Sequence, residues 1–79
     1  MDIELAIREI LCDNVELLKP INLIEKKEPL IELGLDSISL IRVILNIEEK
    51  FNIIFDDDDL LAENFMDIES FTNYVKTKL

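Results

Sequence analysis

Hydrophobic residues recur at helical spacing in three stretches of the chain. The first stretch, residues 2–18, alternates apolar and acidic positions and is followed by Pro20. Because the residue before a proline is pushed out of the helical region, this pattern predicts a helix over residues 2–18 that Lys19-Pro20 terminates. The last stretch, residues 68–78, follows a capping aspartate, Asp67. Its predicted core-facing residues are Ile68, Phe71, Tyr74 and Val75.

The middle stretch, residues 37–51, is the most informative because its apolar residues form two separate stripes on one predicted helix. The wider stripe is typical of a core face and contains Leu40, Val43, Ile44, Ile47 and Phe51. The narrower one, called the apolar stripe below, contains Ile38, Ile41 and Leu45. Ser39, Asn46 and Lys50 make a polar side. The apolar stripe is either an exposed surface for a partner or is covered by the neighbouring loop or a short helix.

Two connections join these helices. Residues 19–35 are long for a loop, so we expect their many apolar side chains to pack over the bundle. Residues 51–55 are β-prone, but no second strand is available, and we predict a loop with buried side chains. The run that begins at Asp56 predicts a cap and a short helix over 56–62. The fold class is therefore all-α.

The segment before the middle helix contains Gly34, the chain's one glycine, then Asp36 and Ser37. Asp36 is predicted to cap the helix, which places Ser37 at its first position. A phosphate on the Ser37 hydroxyl would lie at the positive end of the helix dipole, beside backbone donors. Gly34 allows a tight bend or a positive φ. On the Asp-Ser pair alone, an ordinary helix cap is the simpler interpretation.

Charge narrows the choice of partners. The 79 residues carry a net charge of −10, from 8 basic and 18 acidic residues. This balance disfavours nucleic acid and anionic membranes as partners and favours a protein with a basic patch. The alternative interpretation is that the acidic residues only keep the protein soluble. No apolar run is long enough to span a membrane, and the acidic start is unlike a signal peptide. We expect a cytoplasmic monomer.

Candidate chemistry within the chain is limited. There is no histidine to activate a serine or cysteine, so we expect no enzymatic activity. The single Cys12 cannot form an internal disulfide, and we expect it to be partly buried. The four aspartates from Asp56 to Asp59 raise the possibility of calcium, but no glycine or glutamate stands where an EF-hand needs them.

The run Leu33-Gly34-Leu35-Asp36-Ser37-Ile38 resembles the phosphopantetheine attachment site of acyl and peptidyl carrier proteins. The order of elements, the Glu48–Ile53 run and the Asp67–Val75 run resemble that family as well. The resemblance implies a four-helix bundle of the acyl-carrier type, with a long loop between helices 1 and 2 and a short third helix. It also implies one free-standing carrier domain over residues 1–79.

The resemblance implies that a phosphopantetheinyl transferase attaches 4′-phosphopantetheine covalently to Ser37, and that Asp36 caps the helix and helps the transferase recognise it. The terminal thiol would hold an acyl, aminoacyl or peptidyl group as a thioester for acyl- or aminoacyl-loading and condensing enzymes. The apolar stripe would dock into these enzymes, and acidic residues would pair with their basic patches. The stripe residues are Ile38, Ile41 and Leu45, and the acidic ones are Glu48, Glu49 and Asp57.

One position departs from the family's fatty-acid members, which often have an acid where this chain has Arg42. The run Leu40-Ile41-Arg42-Val43 is more similar to carriers of polyketide or nonribosomal-peptide pathways, so fatty-acid, polyketide and peptide synthesis all stay open. The alternative function is a small acidic helical adaptor that binds a partner through the apolar stripe without a cofactor.

Overall fold

The computed structural model describes residues 2–56 and 65–79. These contain three α-helices, α1 (Ile3–Asn14), α2 (Ser37–Phe51) and α3 (Ile68–Lys78). Two 3-10 helices, Ile21–Leu23 and Leu30–Leu33, lie in the connection between α1 and α2. No strand occurs in the described ranges, so the all-α prediction is confirmed. The predicted short helix over 56–62 lies, apart from Asp56, outside them, so the described part of the chain shows three α-helices.

Each α-helix begins with an aspartate whose carboxylate accepts a backbone N–H from the first turn. Asp2 accepts from Leu5 at 3.1 Å, and Asp67 accepts from Ser70 at 2.7 Å. Asp36 starts α2 in the same way. The caps predicted at Asp36 and Asp67 are therefore present, and α2 and α3 have the predicted bounds. These helix starts depend on local sequence, since the accepting aspartate and the donating N–H lie three residues apart.

The predicted end of α1 was wrong. The helix stops at Asn14, and the Val15 N–H donates to Leu11 O at 2.9 Å, whereas the sequence predicted helix through Leu18. The reason is tertiary: the Leu18 N–H donates to Leu33 O in the distant loop, at 3.0 Å. Leu18 itself is 74% exposed and is not part of the core. A hydrogen bond to the second 3-10 helix thus stands where the last helical turn was predicted.

The core forms where α1 packs against both α2 and α3. Val43 and Ile47 on the wide stripe of α2 are fully buried, as predicted. The aromatic rings of Phe55, Phe65, Phe71 and Tyr74 form a contiguous cluster at one end, with centroids 4.7–5.9 Å apart. Such rings contribute burial and favourable edge contacts together. The predicted core residues of α3, Ile68, Phe71, Tyr74 and Val75, are all buried.

The long connection is held to the helices by a residue that the sequence analysis did not single out. The Arg8 guanidinium donates to Ile21 O at 2.8 Å and to Ile24 O at 2.7 Å, and its Nε donates to Glu4 Oε2 at 3.1 Å. The Leu30 N–H donates to Met66 O at 2.8 Å. Ile24 and Leu30 are buried in the core, so the prediction that this loop packs on the bundle is confirmed.

Candidate functional site

The bend before α2 depends on Gly34. Its φ of 113° lies in the left-handed region, which glycine adopts without a steric penalty. A Cβ at this position would lie 2.5 Å from the carbonyl oxygen of Glu16. Position 34 therefore requires glycine for two independent reasons, the positive φ and the close approach to the segment after α1. Together they bring the loop to the start of α2 at a defined angle.

The first turn of α2 is closed by a reciprocal capping box between Asp36 and Ser39. The Ser39 N–H donates to Asp36 Oδ1 at 2.8 Å, and the Asp36 N–H donates to Ser39 Oγ at 3.0 Å. The Ser39 hydroxyl also donates to Asp36 Oδ1, at 2.8 Å. Ser39, which the sequence placed on the polar side of the helix, is only 8% exposed. Its hydroxyl is bonded within the box and does not face solvent.

The capping box also affects ionisation. Hydrogen bonds from the Ser39 N–H and then from the Ser39 hydroxyl lower the pKa of Asp36 below its ordinary value of 3.8. A smaller contribution in the same direction comes from the positive charge of Arg42. Hydrogen bonds that are made to the charged form favour that form. Asp36 is therefore a firmly ionised cap at neutral pH and a poor proton acceptor for its neighbour Ser37.

Ser37 is the first residue of α2, and its side chain is exposed. It makes no side-chain hydrogen bond with any residue of the described ranges, in contrast to Ser39 two positions later. A hydroxyl needs a base to become a good nucleophile, and the chain has no histidine. Ser37 is therefore open to an external active site but is not activated by its own surroundings.

A phosphate ester fits this position. An exposed hydroxyl leaves room for a substituent that extends into solvent, and the N-terminus of α2 offers backbone N–H groups and a favourable dipole to an anion. The second hydroxyl nearby, on Ser39, is buried in the capping box and lacks that space. Of these two serines, only Ser37 therefore has a hydroxyl that is accessible from solvent.

The apolar stripe is exposed. Ile38, Ile41 and Leu45 are 67%, 58% and 57% exposed, so none of the described elements covers them. Such a row of large apolar side chains on one face of a small protein marks an interaction surface more often than isolated exposed residues do. The wide stripe packs against α1, and the described part of the connection between α1 and α2 leaves the apolar stripe exposed. Its role as a partner surface stays a prediction.

The predicted acidic partners of the stripe differ in their surroundings. Glu49 is exposed, whereas Glu48 is half-buried and its Oε2 accepts the Phe55 N–H at 2.8 Å. Glu48 therefore already holds the connector that follows α2. Asp57, the third predicted residue, lies outside the described residues, as do Asp58 and Asp59 of the considered calcium run. Among the described residues, no group of three or more potential ligands could hold a metal ion.

Two residues beside Ser37 were missed or misplaced by the sequence analysis. Ser39 stands three residues after Asp36, and this spacing is itself the signal of a capping box. Arg42 was noted only as a departure, but it lines an open groove next to the helix start. The groove is formed by Asn14, Glu16, Gly34, Asp36, Ile38, Ser39 and Arg42.

Cys12, expected to be partly buried, is exposed.

Comparison with known proteins gives a consistent result. Residues 6–75 match the family model described as a phosphopantetheine attachment site. The chain is 28% identical over 78 residues to an acyl carrier protein of Desulforapulum autotrophicum, covering 99% of both. It is 36% identical over 71 residues to an aminoacyl carrier protein of Agrobacterium fabrum, covering 90% of this chain and 86% of the relative.

Solved structures are similar along nearly the whole chain. One is a chain in the crystal structure of engineered Bradyrhizobium japonicum glycine:carrier-protein ligase complexed with carrier protein from Agrobacterium tumefaciens and ATP. The TM-score is 0.88 at 33% identity, with 95% of this chain and 97% of that chain covered. A solution structure of an Agrobacterium tumefaciens protein has a TM-score of 0.73 at 34% identity, with 94% of this chain and 89% of that chain covered. Within the described residues, no helix is long and apolar enough to cross a membrane.

Proposed function

Because the chain belongs to the acyl carrier protein family, whose members are non-catalytic and carry phosphopantetheine, we propose that Ser37 is the residue that bears the cofactor. The observation that carries this proposal is the exposed Ser37 hydroxyl at the start of α2, beside a serine whose hydroxyl is occupied. The other features of the site position this hydroxyl at the start of α2. Gly34 sets the bend, the Asp36–Ser39 box fixes the first turn, and the apolar stripe begins one residue later.

Attachment needs a separate transferase. The Ser37 oxygen forms a bond to the phosphorus of the pantetheine phosphate in coenzyme A, and the diphosphate bond to the adenosine 3′,5′-bisphosphate leaving group breaks. The hydroxyl proton passes to a base of the transferase, since the neighbouring Asp36 carboxylate has a lowered pKa. The attached group supplies a terminal thiol that holds the cargo as a thioester. This chain contributes position and recognition.

We further infer that the cargo is an aminoacyl group that an ATP-using ligase loads. Two of the similarities support this inference. One relative is an aminoacyl carrier protein, and one similar structure is a carrier complexed with a glycine ligase and ATP. The ligase would dock on the apolar stripe, with Glu49 available for one of its basic residues, and with Asp57 as a predicted second acidic partner.

Intact mass tests the attachment site. Incubation with coenzyme A and a broad-specificity phosphopantetheinyl transferase is expected to add the mass of one phosphopantetheine to the wild-type protein. Ser37→Ala should abolish the addition because it removes the acceptor oxygen. Ser39→Ala is the matched control and should still be modified, with fragmentation placing the added mass on Ser37. An unchanged wild-type mass would support the adaptor function instead.

A further inference from the structure

Arg42 is a positive charge at the edge of an otherwise apolar and acidic surface. It lies on α2 four residues after Ile38, which places the two side chains next to each other on the helix. Both line the groove beside Asp36. Arg42 is exposed, and it forms no salt bridge with any residue in the described ranges. Its guanidinium is therefore available to an external anion.

Other cations of the described chain differ from Arg42 in partners or in position. Arg8, Lys19 and Lys78 form salt bridges with Glu4, Glu28 and Asp56 respectively. The second cation of α2 is Lys50. At about 100° per residue, Lys50 lies roughly 150° around the helix from the centre of the apolar stripe, whereas Arg42 lies roughly 65° from it. A partner that covers the stripe therefore reaches Arg42 and leaves Lys50 in water.

Covering the stripe has a consequence for Arg42. A partner that buries Ile38 and Ile41 also removes water from the neighbouring guanidinium. An ion that loses water without gaining a partner is strongly disfavoured, and a facing lysine or arginine would add repulsion. The planar guanidinium is suited to a carboxylate, which it can bind through two parallel hydrogen bonds.

We propose that Arg42 is a partner-selecting residue, and that the aminoacyl-loading enzyme places an aspartate or glutamate against it when it docks on the apolar stripe. This inference rests on the proposed function. Glu49, seven residues further along α2, lies about 10 Å away along the helix axis. The enzyme surface should therefore have a carboxylate near the Ser37 end of the stripe and a basic residue about 10 Å further on. This order of charges fixes the direction in which the enzyme binds, and it rejects enzymes with cations at both places.

The experiment uses holo-proteins prepared with the transferase and the Bradyrhizobium japonicum glycine:carrier-protein ligase with glycine and ATP. Reversing the charge in Arg42→Glu is expected to lower kcat/KM for glycylation at least tenfold, mainly through KM. Arg42→Lys should retain most of the activity, and Lys50→Glu is the matched control, with a change of less than twofold. Mass addition to Arg42→Glu at Ser37 shows that the proposed cofactor attachment holds whatever the ligase does.

A charge-swap experiment tests whether the anion that faces Arg42 is a carboxylate of the ligase. Surface aspartates and glutamates around the ligase entrance are changed singly to lysine, and one of them should restore loading of Arg42→Glu at least fivefold while slowing the wild type. If Arg42→Glu is slow and no ligase variant restores it, no ligase carboxylate faces Arg42 and the proposal is wrong. Equal loading of wild type and Arg42→Glu, or glycylation of none of the holo-proteins, also overturns it.

Discussion

Two serine hydroxyls two positions apart have opposite environments. Ser39 Oγ is buried and bonded to both the backbone N–H and the carboxylate of Asp36, whereas Ser37 is exposed. The difference follows from helix geometry, because the third helical position faces back to the cap and the first does not. Ser37 is therefore distinguished from Ser39 by the occupied hydroxyl of Ser39 as much as by its own exposure. Ser39 is a positioning residue for the start of α2.

Ser39→Ala is expected to destabilise the protein by about 1 kcal/mol, because it removes a buried hydroxyl and its hydrogen bonds. It should also raise the pKa of Asp36 part of the way toward 3.8, since the Ser39 N–H, the larger cause of the lowering, remains. NMR titration of the Asp36 carboxyl carbon measures this change. Ser70→Ala, at the third position of α3, is the control and should leave Asp36 unchanged.

The sign of the pH dependence follows from the lowered pKa. Asp36 has a lower pKa in the folded protein than in the unfolded chain, so its stabilising effect is fully present above the unfolded value of 3.8 and is lost as pH falls through the folded value. The part of the stability difference between wild type and Ser39→Ala that comes from this carboxylate should shrink below pH 3.8. An Asp36 pKa that is identical in both proteins would contradict this account.

At the scale of elements, α2 combines two functions on opposite sides of one helix. The wide stripe fills the core against α1, with Val43 and Ile47 fully buried, while the apolar stripe stays outside. The helix is held at both ends by side chains, by the Asp36–Ser39 box at the start and by Glu48 against the Phe55 N–H at the end. A helix fixed in this way can present exposed apolar residues without depending on them for its stability.

Leu45→Glu is expected to lower the rate of aminoacyl loading at least tenfold, while far-UV circular dichroism and the unfolding midpoint stay near those of the wild type. The reason is that Leu45 is 57% exposed, so the charge is tolerated by the fold but opposes an apolar partner surface. Loss of helical signal in Leu45→Glu would show that the stripe is part of the core.

The Leu45→Glu experiment has two controls, one at a buried position and one at an exposed position away from the apolar stripe. Ile47→Glu, two residues away, places a charge at a fully buried position and should unfold the protein. Leu18→Glu makes the same change at an exposed leucine of the loop after α1, away from the stripe, and should leave loading unchanged. The comparison thus separates a general effect of added negative charge from an effect at the docking surface.

At the scale of the whole molecule, charge and packing act at different ranges. A net charge of −10 on 79 residues creates a long-range field that attracts basic partners. The side chains of Ile38, Ile41, Leu45 and Arg42 act after contact, because apolar packing and desolvated ion pairs need close approach. Under the proposed function, encounter with the enzyme would therefore depend on the total charge, and selection of the enzyme on the surface of α2.

Modification by the transferase should accordingly slow as salt rises. We expect kcat/KM to fall severalfold between low salt and 0.5 M NaCl, where screening has shortened the electrostatic range to a few ångströms. Lys27→Glu, at an exposed loop position, makes the protein more acidic without touching α2 and should steepen the dependence. A rate that is independent of salt in both proteins would show that steering by total charge plays no part in encounter.

Much of this protein was predictable from local sequence. The bounds of α2 and α3, the caps at Asp36 and Asp67 and the position of Ser37 at a helix start all agree with the structure. Each of these features depends on residues within one or two helical turns, so the chain segment itself contains the necessary information. The family resemblance rests on the Leu33–Ile38 run together with the order of elements and the Glu48–Ile53 and Asp67–Val75 runs. It was likewise recognisable without the fold and is confirmed by the comparisons.

Other features depended on contacts between residues distant in sequence. The early end of α1 results from the hydrogen bond between Leu18 and Leu33. Position 34 requires glycine partly because the Glu16 carbonyl oxygen occupies the space that a Cβ would take. Packing of α1 on one side of α2 leaves Ile38, Ile41 and Leu45 exposed on the other. Periodicity shows that a helix has two apolar stripes, but only packing decides which of them meets solvent, because burial is a property of neighbours that the local sequence does not contain.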